Sequence, residues 1–405
     1  MEGKVERLLN TQYVLSCFIN FILMLVHYAC LINFPVFILD ILKHDASVAG
    51  LITTVYVFSA MLLRPLGAPV LKTFGKRRSA IIGCGIVFLA AVGYTWGAAM
   101  IGLLFVMRIL NGFGFGLQTI ALNTALVDFI PINRKGEGLG NFSMFMNIAS
   151  AIAPILSLGL VKVYGYTALF QICIGLSIVA MGAAYYLKPQ ELVKEEMQSD
   201  DKTFALSDYF EVKALPAAVF GAFVFAFCYT VINTFFTAYA RKIPAVAPYI
   251  GYFFIAISAA LVLVRPFIGR IMDRKGERYV MYPAFVILAI GMFIISVLDS
   301  PAIMFGAAVC LGLGYSAIFA ASQSSCIKAA AKERVAQANI TFFFCFDLGF
   351  SLGAYFFGIV AQKIGFSNMY LADAALFGIG LILYYLFVGR DAGQSADNSK
   401  VSQLE

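Results

Sequence analysis

Two residues of this sequence carry full charges deep inside apolar runs, Arg108 and Asp347. Arg108, Asn111, Phe115 and Gln118 recur at i, i+3, i+7 and i+10. At about 100° per residue this gathers them within about 80° of one helix face. A polar stripe on such a helix belongs against a watery hollow; otherwise backbone carbonyls hold the guanidinium or it snorkels outward. Asp347 lies roughly eleven residues into its run, near mid-depth at about 1.5 Å per residue. A carboxyl there can carry a proton, bind a cationic ligand or pair permanently with Arg108, and all three roles stay open. Asn147 is its neutral counterpart in the first half. His27 shares a face with Asn20 and is equally readable as a hydrogen-bonded packing residue. Tyr229, Asn233 and Gln323 are weaker polar candidates, and Asp373, in the outer third of the last run, carries less weight.

The elements that must position these groups are apolar runs of spanning length, about 20 residues. They fall near 11–39, 48–71, 79–97, 99–128, 138–161 and 166–187, then near 214–238, 249–269, 279–298, 301–327, 336–361 and 366–389. Of the 405 residues 61% are hydrophobic and 13% charged, and the mean hydropathy is +0.87. A soluble domain has about 45–50% apolar and about 25% charged residues, so lipid must serve as solvent. The net charge of +7 sits in short turns between runs and leaves no basic surface for nucleic acid. The eight cysteines lack a Cys-x-x-Cys pair and read as small apolar fillers. Two histidines, no Walker motif and no paired catalytic acids point to no enzyme, no metal centre and no cofactor.

The predicted organisation is a six-span bundle over 1–187, a polar linker over 188–213, a second bundle over 214–389 and a disordered tail over 390–405. The first run reads as a retained helix and not as a cleaved signal. Turns on the side of the termini and linker hold 21 of the 29 Lys and Arg; the opposite side holds five. That bias puts both termini in the cytoplasm.

The halves repeat one another. Arg64-Pro65-Leu66-Gly67 leads to Gly75-Lys76-Arg77-Arg78, and Arg265-Pro266-Phe267-Ile268-Gly269 leads to Asp273-Arg274-Lys275-Gly276-Glu277-Arg278. Asn111-Gly112-Phe113-Gly114-Phe115 answers Leu311-Gly312-Leu313-Gly314-Tyr315 at an offset of 200, as Arg134 answers Arg334 and Gly165 answers Gly365; the Arg-Pro pair sits at 201. Both basic turns lie on one face, so the repeats are parallel, a pattern of two-half membrane transporters.

On these residues the chain resembles the major facilitator superfamily over 11–389. Gly269, Ile271, Asp273, Arg274, Gly276 and Arg278 follow that family's turn signature, whereas the first half has Ala68, Val70, Lys72 and Thr73 at matching places. The motif predicts that Gly269 lets its helix approach a neighbour, that Gly276 permits a tight turn, and that Asp273 latches to Arg274 or Arg278. Lacking that carboxylate, the first half must use Asp128 as partner of Arg77 or Arg78. Ala149-x-x-x-Ala153-Pro154 stands where many antiporters carry glycines.

The resemblance implies an all-α membrane protein of twelve transmembrane helices in two pseudo-symmetric six-helix bundles, with helices 1, 4, 7 and 10 around a cavity. It implies a proton-coupled carrier of a small-molecule substrate in the cell membrane, working as a monomer and exporting in the manner of bacterial efflux members. Uptake by symport or uniport is the near alternative. A non-transporting receptor built on the same fold is the alternative of another class.

Overall fold

A computed structural model describes residues 9–97, 100–131, 134–190, 209–331 and 334–389. Most of the expected linker and all of the expected tail lie outside the described residues. In hydrocarbon each backbone N–H and C=O must be satisfied within its own segment, and these runs are helical accordingly. Ten helices are long and apolar enough to cross a membrane among the described residues. The main α-helices of these spans are α1 (Thr11–Val36), α2 (Ala46–Phe74), α3 (Lys76–Gly97), α4 (Ile101–Asp128) and α5 (Lys135–Tyr185), then α6 (Val224–Ala240), which completes the span Val212–Ala240, α7 (Ile250–Lys275), α8 (Arg278–Ser296), α9 (Pro301–Ala329) and α10 (Val335–Tyr384). The start of α1 is fixed by Asn10, whose side chain accepts from the Tyr13 amide at 2.8 Å and donates to the Phe129 carbonyl at 2.7 Å.

Two helices are too long for one crossing. α5 has 51 residues and α10 has 50, roughly 75 Å of helix at about 1.5 Å per residue, against about 30 Å of hydrocarbon. Each breaks at one residue, Gly165 (φ 79°, ψ −179°) and Gly365 (φ 80°, ψ 164°). That backbone region is essentially open to glycine only. Divided there, ten helices give twelve spans, the number expected from the sequence.

Backbone packing gathers the chain into two compact units. The first holds α1, α3, α4, α5 and α2 from Val55 onward; the second holds α6 to α10 and the start of α2, His44–Thr54. Within the first unit α3 lies along α4, and α5 lies along α1 and α3. The second repeats the plan, with α8 along α9 and α10 along α6 and α8. Its segment 44–54 is held on α10, where the Thr54 hydroxyl donates to the Ser351 carbonyl at 2.5 Å. Missing side chains set the closest approaches. Gly112 of α4 lies on the Tyr56 carbonyl of α2, and Gly312 of α9 lies on the Ile257 carbonyl of α7. All eight cysteines are free and seven are buried, several of them inside the apolar clusters.

Replacing Gly165 or Gly365 by alanine should destabilise the protein by about 1–3 kcal/mol. Gly175 has ordinary helical backbone and open space where a Cβ would stand, so G175A should be neutral or slightly stabilising, by at most about 1 kcal/mol. Thermal unfolding of the three variants in detergent checks this.

Candidate functional site

In the first unit the site is built from α1, α2 and α4. His27 and Phe34 stand seven residues apart on α1, as Arg108 and Phe115 do on α4. The two helices run in opposite directions, so two turns on each bring His27 to Phe115 and Phe34 to Arg108. His27 stacks on Phe115 with centroids 4.3 Å apart and planes 14° from parallel. The Arg108 guanidinium carbon lies 4.4 Å from the Phe34 ring centre and 4.1 Å from that of Tyr56. Tyr56 is placed by the contact of its carbonyl with Gly112 and is tied by a 2.5 Å hydrogen bond between its hydroxyl and His27 Nδ1. Tyr94 of α3 packs edge-on to Phe34 at 4.6 Å and completes an aromatic box.

Arg108 is 0% exposed; the Tyr94 hydroxyl lies close enough to interact with it, but Nε, Nη1 and Nη2 make no hydrogen bond of ordinary geometry among the described residues. Two ring faces each contribute about 0.5–2 kcal/mol. Removing a cation from water costs several kcal/mol even after relaxation, so the rings do not balance the charge. The sequence predicts that this stripe faces a watery hollow; here the guanidinium is enclosed, with rings on both faces. Asn111 and Gln118 are also buried, and Gln118 lies against Gly83 of α3, its Oε1 unpartnered. Asn20 is buried with Nδ2 unpartnered, and Asn147 is half-buried on α5.

In the second unit Tyr229 packs edge-on to Tyr315 at 4.8 Å. Half-buried Asn233 stands one turn further along α6. Gln323 donates to Asn339 Oδ1 at 2.9 Å, and Asp347 is buried. The residue that sequence reasoning underrated is Asp373. It is 0% exposed, and both carboxylate oxygens lack a hydrogen-bond partner among the described residues. Cys228 of α6 and Tyr370 stand near enough to feel its charge. A signal existed: Tyr370, Asp373, Phe377, Gly380 and Tyr384 recur at three and four residues, and all are buried.

The basic turns correct three expectations and sustain the two glycine turns. Gly75 (φ 77°) and Gly276 (φ 90°) form the turns after α2 and α7 as expected. Gly67 lies against the Ile120 side chain, but Gly269 meets nothing within 4 Å of where a Cβ would stand, so it serves no close approach. Asp128 pairs with neither Arg77 nor Arg78. Lys76 donates to its Oδ1 at 2.8 Å and its Oδ2 at 2.7 Å, and the Gln190 amide adds a third bond at 3.2 Å. Successive helical positions point about 100° apart, which sends Arg77 to the Tyr185 carbonyl and over its ring, 4.7 Å from the centre. Arg78 is exposed. Asp273 is exposed and has no ion-pair or hydrogen-bond partner among the described residues, while Arg265 and Arg274 are exposed and Arg64 half-buried. The acid that works in this turn is Glu277, which pairs with Lys328 at 2.5 Å and accepts from the Ser324 hydroxyl at 2.9 Å. Arg278 follows it at the start of α8, with Nη2 buried and unpartnered.

Lys76 and Glu277 are 201 residues apart, and Asp128 and Lys328 are 200 apart. The same pair of helices in each unit is therefore tied by one ion pair of reversed polarity. Glu277 at the start of α8 and Lys328 in the last turn of α9 agree with the helix dipoles, whereas Lys76 and Asp128 oppose them.

The sequence matches the family model described as Major Facilitator Superfamily over residues 16–354 and again over 218–404. The MFS-type transporter MJ1560 of Methanocaldococcus jannaschii is 22% identical over 322 residues, 78% of this chain and 83% of that protein. The staphylopine export protein of Staphylococcus aureus is 22% identical over 356 residues, 84% and 87% of the two chains. The crystal structure of the nucleoside transporter NupG matches with a TM-score of 0.76 at 15% identity, covering 94% of this chain and 99% of that one, a likeness of fold alone.

K76E should destabilise the protein by about 3 kcal/mol, because it faces Asp128 with a second negative charge in a mostly buried place. The double variant K76E/D128K should return to within about 1 kcal/mol of the original, since it adopts the dipole-favoured polarity of the second unit. A double-mutant cycle by thermal unfolding reads this directly. A pH series tests the other pair. Partial burial pushes the Glu277 carboxyl up, but hydrogen bonds from Lys328, from its own amide and from Ser324 outweigh it, so it stands below the usual carboxylate range. A group held low in the folded state stabilises above its unfolded value, here 4.5, and loses that contribution as pH falls through the lowered one. E277Q should therefore be less stable than the parent at pH 7, and the two should converge as pH falls below 4.5 and through the lowered value.

Proposed function

Because the chain belongs to the Major Facilitator Superfamily, we propose that it moves a small solute across the cytoplasmic membrane by alternating access, outward and in exchange for protons. It is a multi-pass membrane protein of transporter type. The observation that carries the finer reading is Arg108, a fully buried cation in a spanning helix whose nitrogens make no hydrogen bond of ordinary geometry among the described residues. Ionisable groups at such depth are costly and mark pathways for solute or protons. The solute binds among His27, Arg108, Asn111, Phe115 and Gln118 of the first unit, with Asn20 and Asn147 as further candidates there; Tyr229, Asn233, Gln323 and Asp347 are the polar candidates of the second unit. Proton gain and loss at Asp347 biases which side opens. The turns at Gly75 and Gly276, with their ion pairs, stabilise one state.

Outward direction draws on the likeness to the staphylopine exporter, which extends over most of both chains. Cytoplasmic termini draw on the charge bias of the turns. The two bundles are 1–187 and 214–389, the linker is 188–213 and the cytoplasmic tail is 390–405. One chain holds both halves, so a monomer suffices. A second reading puts the coupling proton on Asp373, favoured by its complete burial and two unpartnered oxygens.

Inverted and right-side-out vesicles carrying a pH-sensitive dye and offered a solute panel separate these readings. The expected result is a solute that collapses the proton gradient in inverted vesicles, with D347N reduced to the level of empty vesicles and D373N retaining at least half the rate. The reverse ranking selects Asp373. Responses in both variants equal to wild type would eliminate proton coupling through either acid. Flux only in the uptake direction selects symport, and saturable binding with no flux in either orientation selects a receptor.

A further inference from the structure

We propose that Arg108 is the receptor for a carboxylate, so that the transported solute is a small organic acid or carries an acid group held edge-on by the guanidinium. The proposal rests on the transporter reading and names the substrate class of the same site. Three observations inside the first unit carry it.

The first is the unsatisfied edge. Phe34 and Tyr56 cover the two faces of the guanidinium at 4.4 and 4.1 Å. All the N–H donors lie in the plane between them; the neutral Tyr94 hydroxyl stands near them, and none of the three nitrogens makes a hydrogen bond of ordinary geometry among the described residues. A planar fork with blocked faces and vacant edge donors fits a planar, bidentate oxyanion, and a carboxylate is the commonest such group.

The second is the charge balance of the unit. Its acids within described spans stand at span ends. Asp40 is the next-to-last residue of the span Thr11–Ile41, Asp128 closes the span Ile101–Asp128, and Glu137 opens the span Glu137–Tyr185. Asp40 is exposed, Asp128 is held by Lys76, and Glu137 is held by Arg134 at 2.7 Å. Among the described residues of this unit, no acid reaches the Arg108 box.

The third is the selectivity of the box. Its remaining walls are Phe34, Tyr56, Tyr94, His27 and Phe115. Aromatic faces attract a cation and repel a second anion, so they confine the guanidinium without replacing the anion it lacks. The Tyr56 hydroxyl is hydrogen-bonded to His27, which joins the cover of the guanidinium to the histidine stacked on Phe115.

The test uses purified full-length protein in detergent. Glutamate, citrate and benzoate are each offered beside the methyl ester, and unfolding midpoints are followed against concentration. The expected result is a saturable rise of several degrees with at least one acid and none with its ester. R108Q should lose that rise, and R108K should keep it with apparent affinity weakened about tenfold or more. The acid–ester comparison needs only the unaltered protein, so it stands even where R108Q does not fold. The proposal is overturned if no acid shifts the wild type, if acid and ester act alike, or if R108Q keeps the shift. Solute flux in proteoliposomes then separates the two readings. A carboxylate that binds without being moved removes the transporter reading and leaves the site. Movement of a neutral or cationic solute with no acid binding does the opposite.

Discussion

The cost of holding charge in hydrocarbon governs this structure. Backbone polarity is absorbed by helices, but a charged side chain needs a partner of its own. At the basic turns that requirement is met: Lys76 closes on both oxygens of Asp128, and Lys328 closes on Glu277. In the helix interiors Arg108 and Asp373 are fully buried and find no hydrogen-bond partner among the described residues. Satisfied charge at the ends and unsatisfied charge within divide the molecule into parts that hold it together and parts free to respond to something arriving from outside.

The duplicated chain meets the same mechanical problem twice. The close approaches at Gly112 and Gly312, the breaks at Gly165 and Gly365 and the turns at Gly75 and Gly276 occupy equivalent places. The ion pairs between α3 and α4 and between α8 and α9 are equivalent in position and opposite in sign. Polarity therefore is not what the fold demands there; a closed pair is. The reversal has a consequence. Glu277 and Lys328 are helped by the helix ends they occupy, whereas Lys76 and Asp128 hold against theirs. Burial, contact with both carboxylate oxygens and the Gln190 amide offset that disadvantage in the first unit.

Much of this was legible in the sequence. Run lengths set the number of spans, and the breaks within α5 and α10 fall at the glycines between expected runs. The spacing of Arg108 and Phe115 placed them on one face. Partner choice was less legible, because one step along a helix turns a side chain by about 100°. Lys76, Arg77 and Arg78 are neighbours in sequence, yet only the first faces Asp128. Matching the turn to a family signature drew attention to Asp273, although the offsets of 200 and 201 already align Glu277 with Lys76 and Lys328 with Asp128. Asp373 was judged by depth alone. The periodic face that it shares with Tyr370, Phe377 and Tyr384 carries the better information. Enclosure of Arg108 could not be read at all, since its walls come from α1, α2 and α3, which meet α4 only in the folded unit.

Each unit thus keeps one wholly enclosed charge inside a spanning helix, Arg108 on α4 and Asp373 on α10, and neither makes a hydrogen bond of ordinary geometry among the described residues. Such groups destabilise the fold, and a sequence selected for stability alone would replace them with apolar side chains of similar volume. Their presence is explained if the missing partner is supplied from outside, an anion for Arg108 and a proton for the acid. A group that is costly when empty and relieved when filled ties occupancy to conformational energy. That link is what a carrier needs, because a ligand shifts a conformational equilibrium only by as much as it favours one state over the other. A binding residue already satisfied by its own protein has little left to gain from solute; Arg108 has nearly all of its hydrogen-bonding capacity still to use.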